Sequence, residues 1–267
     1  DSDGDMIIKR LEEYNIKTDG IVRRGQTSFT DVFAETEFDC RTFFQFGGAC
    51  DSFDLQDIDI SSLDCEIFHI GYLLLLNKLD SPDGSYGTRM ARLLHEVQMT
   101  GARTSVDLVS EDGERYKQII PSALKYTDYL IINEIEAGKT TGIILRDTNG
   151  KLLINMIPEV LSRLKKMGVG HWVIIHCPEG AFGMDENNQV SYVPSNELPK
   201  GWIVGTVGAG DAFCAGALLA AYRGLTLVEA LVYGNAAAQV SLRSKTATGS
   251  MVSIEKALNM ISDPDFI

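Results

Sequence analysis

The stretch G-T-V-G-A-G-D-A-F, Gly205 to Phe213, runs straight into C-A-G-A-L-L-A-A-Y-R-G, which ends at Gly224. It gathers small residues around one carboxylate, Asp211, just ahead of an apolar run. A helix that begins near Gly210 leaves its first N–H groups without intrahelical partners. Those groups, around Gly208, Ala209 and Gly210, converge on one spot and carry the positive end of the helix dipole. Such a spot receives an anion, and glycine lets the anion approach the backbone closely. Taken alone, the stretch is equally a Gly-rich turn before a helix, with a first-turn acid contributing about 0.3–1 kcal/mol.

Outward from that stretch, short apolar strands alternate with helices. CEIFHIGYLLLL (65–76), RTSVDLV (103–109), DYLIIN (128–133) and HWVIIHC (171–177) read as buried strands. GTRMARLLHEVQMTGA (87–102) reads as a helix, and RYKQIIPSALKY (115–126) as a helical piece interrupted at Pro121. KLLINMIPEVLSRLKKMG (151–168) reads as one long helix ending at Gly168. AFGMDENNQVSYVP (181–194) is a hairpin turning at Asn187-Asn188, and three mostly helical stretches finish the chain. The alternation predicts the α/β class, a mostly parallel sheet with helices on both faces.

The beginning of the chain departs from that rhythm. DGDMIIKRLEEYNI (3–16) reads as a helix, with Met6, Ile7, Leu11 and Tyr14 at helical spacing. TSFTDVFAETEFDCRTFFQF (27–46) is rich in Thr, Val and Phe and predicts a β-hairpin. We expect residues 22–50 to form a small β lid on a single α/β domain spanning 1–267.

Bulk properties exclude several classes of function. A net charge of −13 argues against nucleic acid as a partner, because phosphate neutralisation needs clustered Lys and Arg. The apolar stretches are too short, and too interrupted by Gly, to span a bilayer, and no secretory signal opens the chain. Five cysteines without a C-x-x-C pair suggest reduced thiols in a cytoplasmic protein. The four histidines lack metal-ligand spacing.

N-E-I-E-A-G-K-T-T-G, Asn133 to Gly142, contains the tail of a P-loop, but Asn133 stands where its first glycine belongs. Glu134 and Glu136 would also repel a phosphate. Asn133 and Glu136 lie three apart at a helix start, hence on one face. Their amide and carboxylate could hold magnesium through water. They could equally form a capping arrangement, with Asn133 as the N-cap and Glu136 at N3.

Together, G-A-G-D-A-F and N-E-I-E resemble the signatures of the PfkB, or ribokinase-like, family of sugar and nucleoside kinases. The family's forms are D-T-x-G-A-G-D and N-x-x-E. The resemblance extends over essentially the whole chain, and the β flap before an α/β body fits the family's sugar lid. It implies a ribokinase-like fold and transfer of a phosphoryl group from ATP, with Mg2+, to a small sugar. Asp211 would be the catalytic base, and Gly208, Ala209 and Gly210 the anion hole. Asn133 and Glu136 would organise magnesium through water and the nucleotide phosphates, with Thr206 and Asn235 also on the nucleotide side. Asp107 matches a substrate-side position of the family.

The chain also departs from the pattern. Gly205 replaces the usual Asp that helps to bind a monovalent cation, and Ile175-His176-Cys177 replaces Thr-x-Gly. Val109 and Glu111 stand where many relatives carry Asn and Arg. The family's first strand and its Gly-Gly-x-x-x-Asn sugar motif are expected ahead of Asp1. On the lid, Arg41, Phe43 and Gln45 share a strand face by period two. Arg41 and Phe43 could meet a sugar there, or Phe could pack into a partner as part of a homodimer through the lid. Two functions stand: an ATP-dependent kinase acting on a hydroxymethyl group of a small sugar or polyol, and a sugar- or nucleotide-binding sensor without turnover. A dinucleotide-dependent oxidoreductase lacks its G-x-G-x-x-G.

Overall fold

The computed structural model describes residues 1–35, 40–109 and 115–262. Its centre is a six-stranded sheet built from β3 (Ile67–Leu73), β6 (Arg103–Leu108), β7 (Tyr129–Asn133), β8 (Trp172–Cys177), β9 (Gly180–Met184) and β10 (Val190–Pro194). The order is β10-β9-β8-β7-β6-β3. Strands β3, β6, β7 and β8 run parallel, and β9 and β10 turn back antiparallel at one edge. The sheet is therefore mixed, mostly parallel, as the alternation of elements predicts. A two-residue ladder, β4 (Pro82–Asp83) with β5 (Gly87–Thr88), sits apart from it.

Period two divides each central strand between two cores. Leu130, Ile132, Val173 and Ile175 pack with α2 (Arg89–Gln98), α3 (Arg115–Leu124) and α5 (Ile157–Lys166). Tyr129, Ile131, Trp172 and Ile174 pack on the opposite face with α6 (Ala209–Tyr222) and α7 (Leu227–Ser241). Short unbroken apolar runs are what a strand covered on both faces requires. A helix α8 (Ile254–Ser262) closes over α7 through Ile254, Ala257 and Met260.

Two helical expectations need correction. Helix α3 runs through Pro121 without interruption, one backbone donor short but anchored by buried Ile119, Ile120 and Leu124. The long helix expected over 151–168 is only α5, preceded by a short 3-10 turn at Ile154–Met156. Pro158 sits in the first turn of α5, where its missing N–H costs nothing, and so marks the start. Leu152 is instead bridged to Arg146.

At the N-terminus, α1 (Ser2–Glu13) is capped by Asp1, whose carboxylate accepts Gly4 N–H at 3.0 Å. The lid hairpin pairs β1 (Phe29–Glu35) with β2 (Cys40–Phe46), and its connection lies outside the described residues. In its register Phe29 faces Phe46 and Asp31 faces Phe44, while Val32 faces Phe43 and Ala34 faces Arg41.

Helices α6 and α7 cross where glycine alone fits. A Cβ on Gly216 would lie 2.5 Å from Tyr233 O, and one on Gly234 2.6–2.8 Å from the buried Phe213 ring. Gly234→Ala is therefore expected to lower stability by about 1–3 kcal/mol through overpacking. Gly20→Ala, which meets nothing within 4 Å, is expected to stay within about 0.5 kcal/mol. Urea unfolding of the two variants beside the parent checks both.

Candidate active site

The carboxyl ends of the parallel strands carry Tyr72 on β3, Asp107 on β6, Asn133 on β7 and His176 on β8. That edge is where open α/β sheets bind ligands. Helix α6 begins there. Its N-cap, Gly208, is left-handed at φ 79°, and a Cβ on it would meet Ala247 Cβ at 2.5 Å. Only glycine satisfies both conditions.

No side chain caps α6. Ala209 N–H turns back to Thr206 O at 3.4 Å, and Ala212 N–H closes the first turn on Gly208 O at 2.9 Å. The N–H groups of Gly210 and Asp211 meet no acceptor among the described residues. Of the donors that the sequence places at this spot, Gly210 N–H is therefore open and Ala209 N–H is spent on Thr206 O, while Asp211 N–H joins the open set, with the helix dipole behind them. Gly205 also has a steric reason, because a Cβ on it would lie 2.6 Å from Ser244 O. The usual aspartate could not stand there without displacing the 244–247 loop.

Asp211 is exposed, and its Oδ1 accepts a hydrogen bond from the Tyr72 hydroxyl. Burial and the neighbouring Asp211 charge push the Tyr72 phenol well above its ordinary range, so it remains a proton donor. Tyr72 is a site residue that sequence reasoning missed. Its signal is weak, a lone Tyr after Gly71 inside a buried strand.

Asp107 is buried and accepts Leu108 N–H through Oδ1 at 2.7 Å. Burial, then the charges of Glu136 and Asp211, push its carboxyl up to about 8, leaving it protonated at neutral pH. Asp107, Glu136 and Asp211 are thus close enough to feel one another. Nearby, His69 Nδ1 lies 3.1 Å from Ser105 Oγ, and burial lowers its pKa.

Asn133 and Glu136 form the capping box of α4 (Glu134–Thr141). Asn133 Oδ1 accepts Ile135 and Glu136 N–H at 2.9 Å each, and Glu136 Oε2 accepts Asn133 N–H at 3.0 Å. The cap fixes both side chains at the strand end and uses one Glu136 oxygen. Arg146 ties the same helix start to the β8–β9 turn, with Nε on Glu134 Oε1 at 2.7 Å and Nη1 on Glu179 Oε1 at 2.8 Å.

A cavity of about 460 Å³ opens between α4, the end of β8, α6 and α7. Its walls include Asn133, His176, Thr206, Ala209, Gly210 and Asn235. The size lies within roughly 300–1,000 Å³, the range of small-molecule sites. His176 stacks on Phe213 with centroids 4.9 Å apart, and its Cε1 lies 3.4 Å from where a Gly210 Cβ would be. Burial holds its imidazole down at about 4, hence neutral. Asn235 donates Nδ2–H to Val193 O and Pro194 O at 3.3 Å each, which anchors α7 to β10.

The sequence therefore brings Asp211, Gly208, Ala209, Gly210, Thr206, Asn133, Glu136, Asn235 and Asp107 to one edge. Arg41 and Phe43 occupy same-face register positions on the lid, and their side chains lie outside the described residues. Among the described residues no Lys or Arg lines the cavity. An anion held there depends on backbone donors and on an added cation. No cluster of three His, Cys, Asp or Glu residues among the described residues could hold a metal directly. Magnesium binds through one or two carboxylates plus water and phosphate, and Glu136 and Asp211 at this edge suit that mode.

The family follows from the whole chain. Residues 1–254 match the model of the pfkB family carbohydrate kinase, and the chain belongs to that family. The fold is similar to ribokinase from Arabidopsis thaliana complexed with ribose and ATP, at 19% identity and a TM-score of 0.75. That match covers 98% of this chain and 79% of the other. A putative ribokinase II from E. coli in complex with ATP and Mg2+ matches at 20% and 0.75, covering 98% and 80%. Ribokinase from Giardia lamblia matches at 16% and 0.76, covering 97% and 80%. An uncharacterized protein of Schizosaccharomyces pombe is 28% identical over 138 residues, 45% of this chain and 37% of that protein's length. Among the described residues no helix is long and apolar enough to cross a membrane.

The raised Asp107 carboxyl fixes the sign of a pH effect. The unfolded chain ionises this group near 3.8 and the folded one near 8, so stability drains away as pH rises between those values. Asp107→Asn, which keeps the Oδ1 acceptor for Leu108 N–H, is expected to be more stable than the parent by a margin that grows from pH 5 to pH 8. Thermal unfolding across that range measures it.

Proposed function

We propose that the protein is a cytoplasmic ATP- and Mg2+-dependent kinase that phosphorylates a hydroxymethyl group on a small sugar or related polyol. One observation carries this reading. The unpaired N–H groups of α6, the carboxylate of Asp211 and a cavity lined by Asn133 and Thr206 meet at a single helix N-terminus.

Phosphoryl transfer asks mainly for positioning and charge stabilisation. Asp211 takes the proton from the substrate hydroxyl as its oxygen bonds to the γ-phosphorus and the bridge to the β-phosphate breaks, releasing ADP. Gly208, Ala209 and Gly210 frame the anion hole, whose open donors are the Gly210 and Asp211 N–H groups, worth about 2.7–4 kcal/mol per donor in comparable sites. Thr206 and Asn235 stand on the nucleotide side. Glu136, with Asn133 fixed beside it, would hold magnesium through water. Bound magnesium would neutralise charge developing on the phosphates. Asp107, neutral at pH 7, can both donate to and accept from a sugar hydroxyl, and Arg41 and Phe43 close the sugar side from the lid. Tyr72 holds Asp211 in position before substrate arrives.

Asp211→Asn is expected to fold and bind nucleotide as the parent does while lowering turnover by about 10²–10⁴. Tyr72→Phe keeps the carboxylate and is expected to lose about 10- to 150-fold at most, the worth of one hydrogen bond to a charged group. ADP release across a panel of sugars, sugar acids and nucleosides measures both. Nucleotide binding with no substrate-dependent ADP release from the parent would instead favour the non-catalytic sensor.

The lid is the proposed dimer contact. Phe33 and Phe44 meet edge to face at 5.4 Å while 63% and 60% exposed, on a two-stranded sheet that alone is marginally stable. Covering them against a second lid would bury that face. Phe33→Ser combined with Phe44→Ser is expected to convert a dimer to a monomer in sedimentation equilibrium, whereas a monomeric parent would refute the contact.

A further inference from the structure

Gln239 has no role in the reading above, yet it lines the same cavity. It lies one turn after Asn235 on α7, and only 4% of it is exposed. Its main-chain O accepts Trp202 Nε1–H at 2.9 Å, and its Oε1 accepts Asn196 Nδ2–H at 3.4 Å. Asn196 is itself held on Ile261 O at 3.3 Å. The remaining polar atom, Gln239 Nε2, is buried without a hydrogen-bond partner among the described residues. Buried donors are almost always paired, and an unpaired one is costly.

The surroundings say what could pair with it. Besides Ser195 and Asn196, the lining that Gln239 shares includes the apolar Leu198, Ile203, Ala238 and Leu242. Ile203 is 56% exposed, a large aliphatic side chain with a bare face. Val204 and Gly205 N–H are both held on Leu242 O, at 2.8 and 3.2 Å, which braces this loop against α7. A flat apolar group with an acceptor on its edge fits such a wall, and a charged phosphate does not. A nucleobase is that kind of group.

We infer that Gln239 donates Nε2–H to a ring nitrogen of the adenine, making it a specificity-determining residue for the nucleotide. The inference rests on the cavity being the nucleotide site. The donor has no charge to follow, so it discriminates by the presence of an acceptor on the ring and leaves the phosphates to the α6 terminus.

Calorimetric binding of ATP, its 1-deaza, 3-deaza and 7-deaza analogues and inorganic triphosphate tests this with the 267-residue chain and Gln239→Leu. The parent is expected to bind one deaza analogue about 3–10-fold more weakly than ATP, the loss of one neutral hydrogen bond. Gln239→Leu should bind ATP more weakly by the same factor, show no preference between ATP and that analogue, and bind triphosphate as the parent does. Gln239→Glu, equal in size but without the donor, should reproduce the loss if the Leu variant does not fold. ATP bound equally by parent and variants, or all three analogues bound by the parent as tightly as ATP, overturns the inference alone. A parent that binds no ATP overturns the nucleotide reading and this inference with it.

Discussion

Helices α6 and α7 approach until Gly216 and Gly234 have no room for a Cβ, and the active edge depends on that closeness. With α7 fixed by Asn235 on β10, α6 is held over the sheet, and its N-terminus lies beside the ends of β7 and β8. The 244–247 loop then presses on Gly205 and Gly208, leaving the first turn in a left-handed entry with the Gly210 and Asp211 amides bare among the described residues. A helix start of this kind is kept open by packing around it, with no capping side chain.

The charge balance at the edge follows from the same arrangement. Asp107, Glu136 and Asp211 come together at strand and helix ends, so Asp107, buried and facing the charges of the other two, keeps its proton. A neutral acid, an exposed carboxylate held by Tyr72 and a carboxylate spent partly on a cap are three different chemical tools made from one functional group. The environment sets each role. With no Lys or Arg among the described residues of the cavity wall, the open backbone amides of α6 are its positive pole.

Two departures from the family pattern acquire physical meaning. Gly205 is required by the contact with Ser244 O, so the loss of an aspartate there belongs with a loop packed closer than a side chain permits. His176 and Cys177 stand in place of Thr-x-Gly at the end of β8. There the neutral imidazole stacks on Phe213 and covers the start of α6, while Cys177 Sγ–H bonds Gly180 O at 3.3 Å. Both residues serve the packing of the cavity wall.

Much of this was legible in the chain. Apolar runs such as YLIIN and WVIIHC determine strands buried on both faces, because their alternate residues must enter two separate cores. Glycines around Asp211 determine an uncapped helix start, and Asn133 with Glu136 determines a capping box, because both are local geometries of three or four residues. Pro121 and the 151–156 segment were misjudged, since a helix tolerates one lost donor when its apolar face is buried, and a first-turn proline starts a helix late. Only the tertiary structure decided that Tyr72, 139 residues before Asp211, bonds its carboxylate, that Asp107 is neutral, and that Gln239 keeps a donor without a partner among the described residues. Those facts depend on which distant groups share a small volume and how little water reaches them, and neither is written in the spacing of residues along one segment.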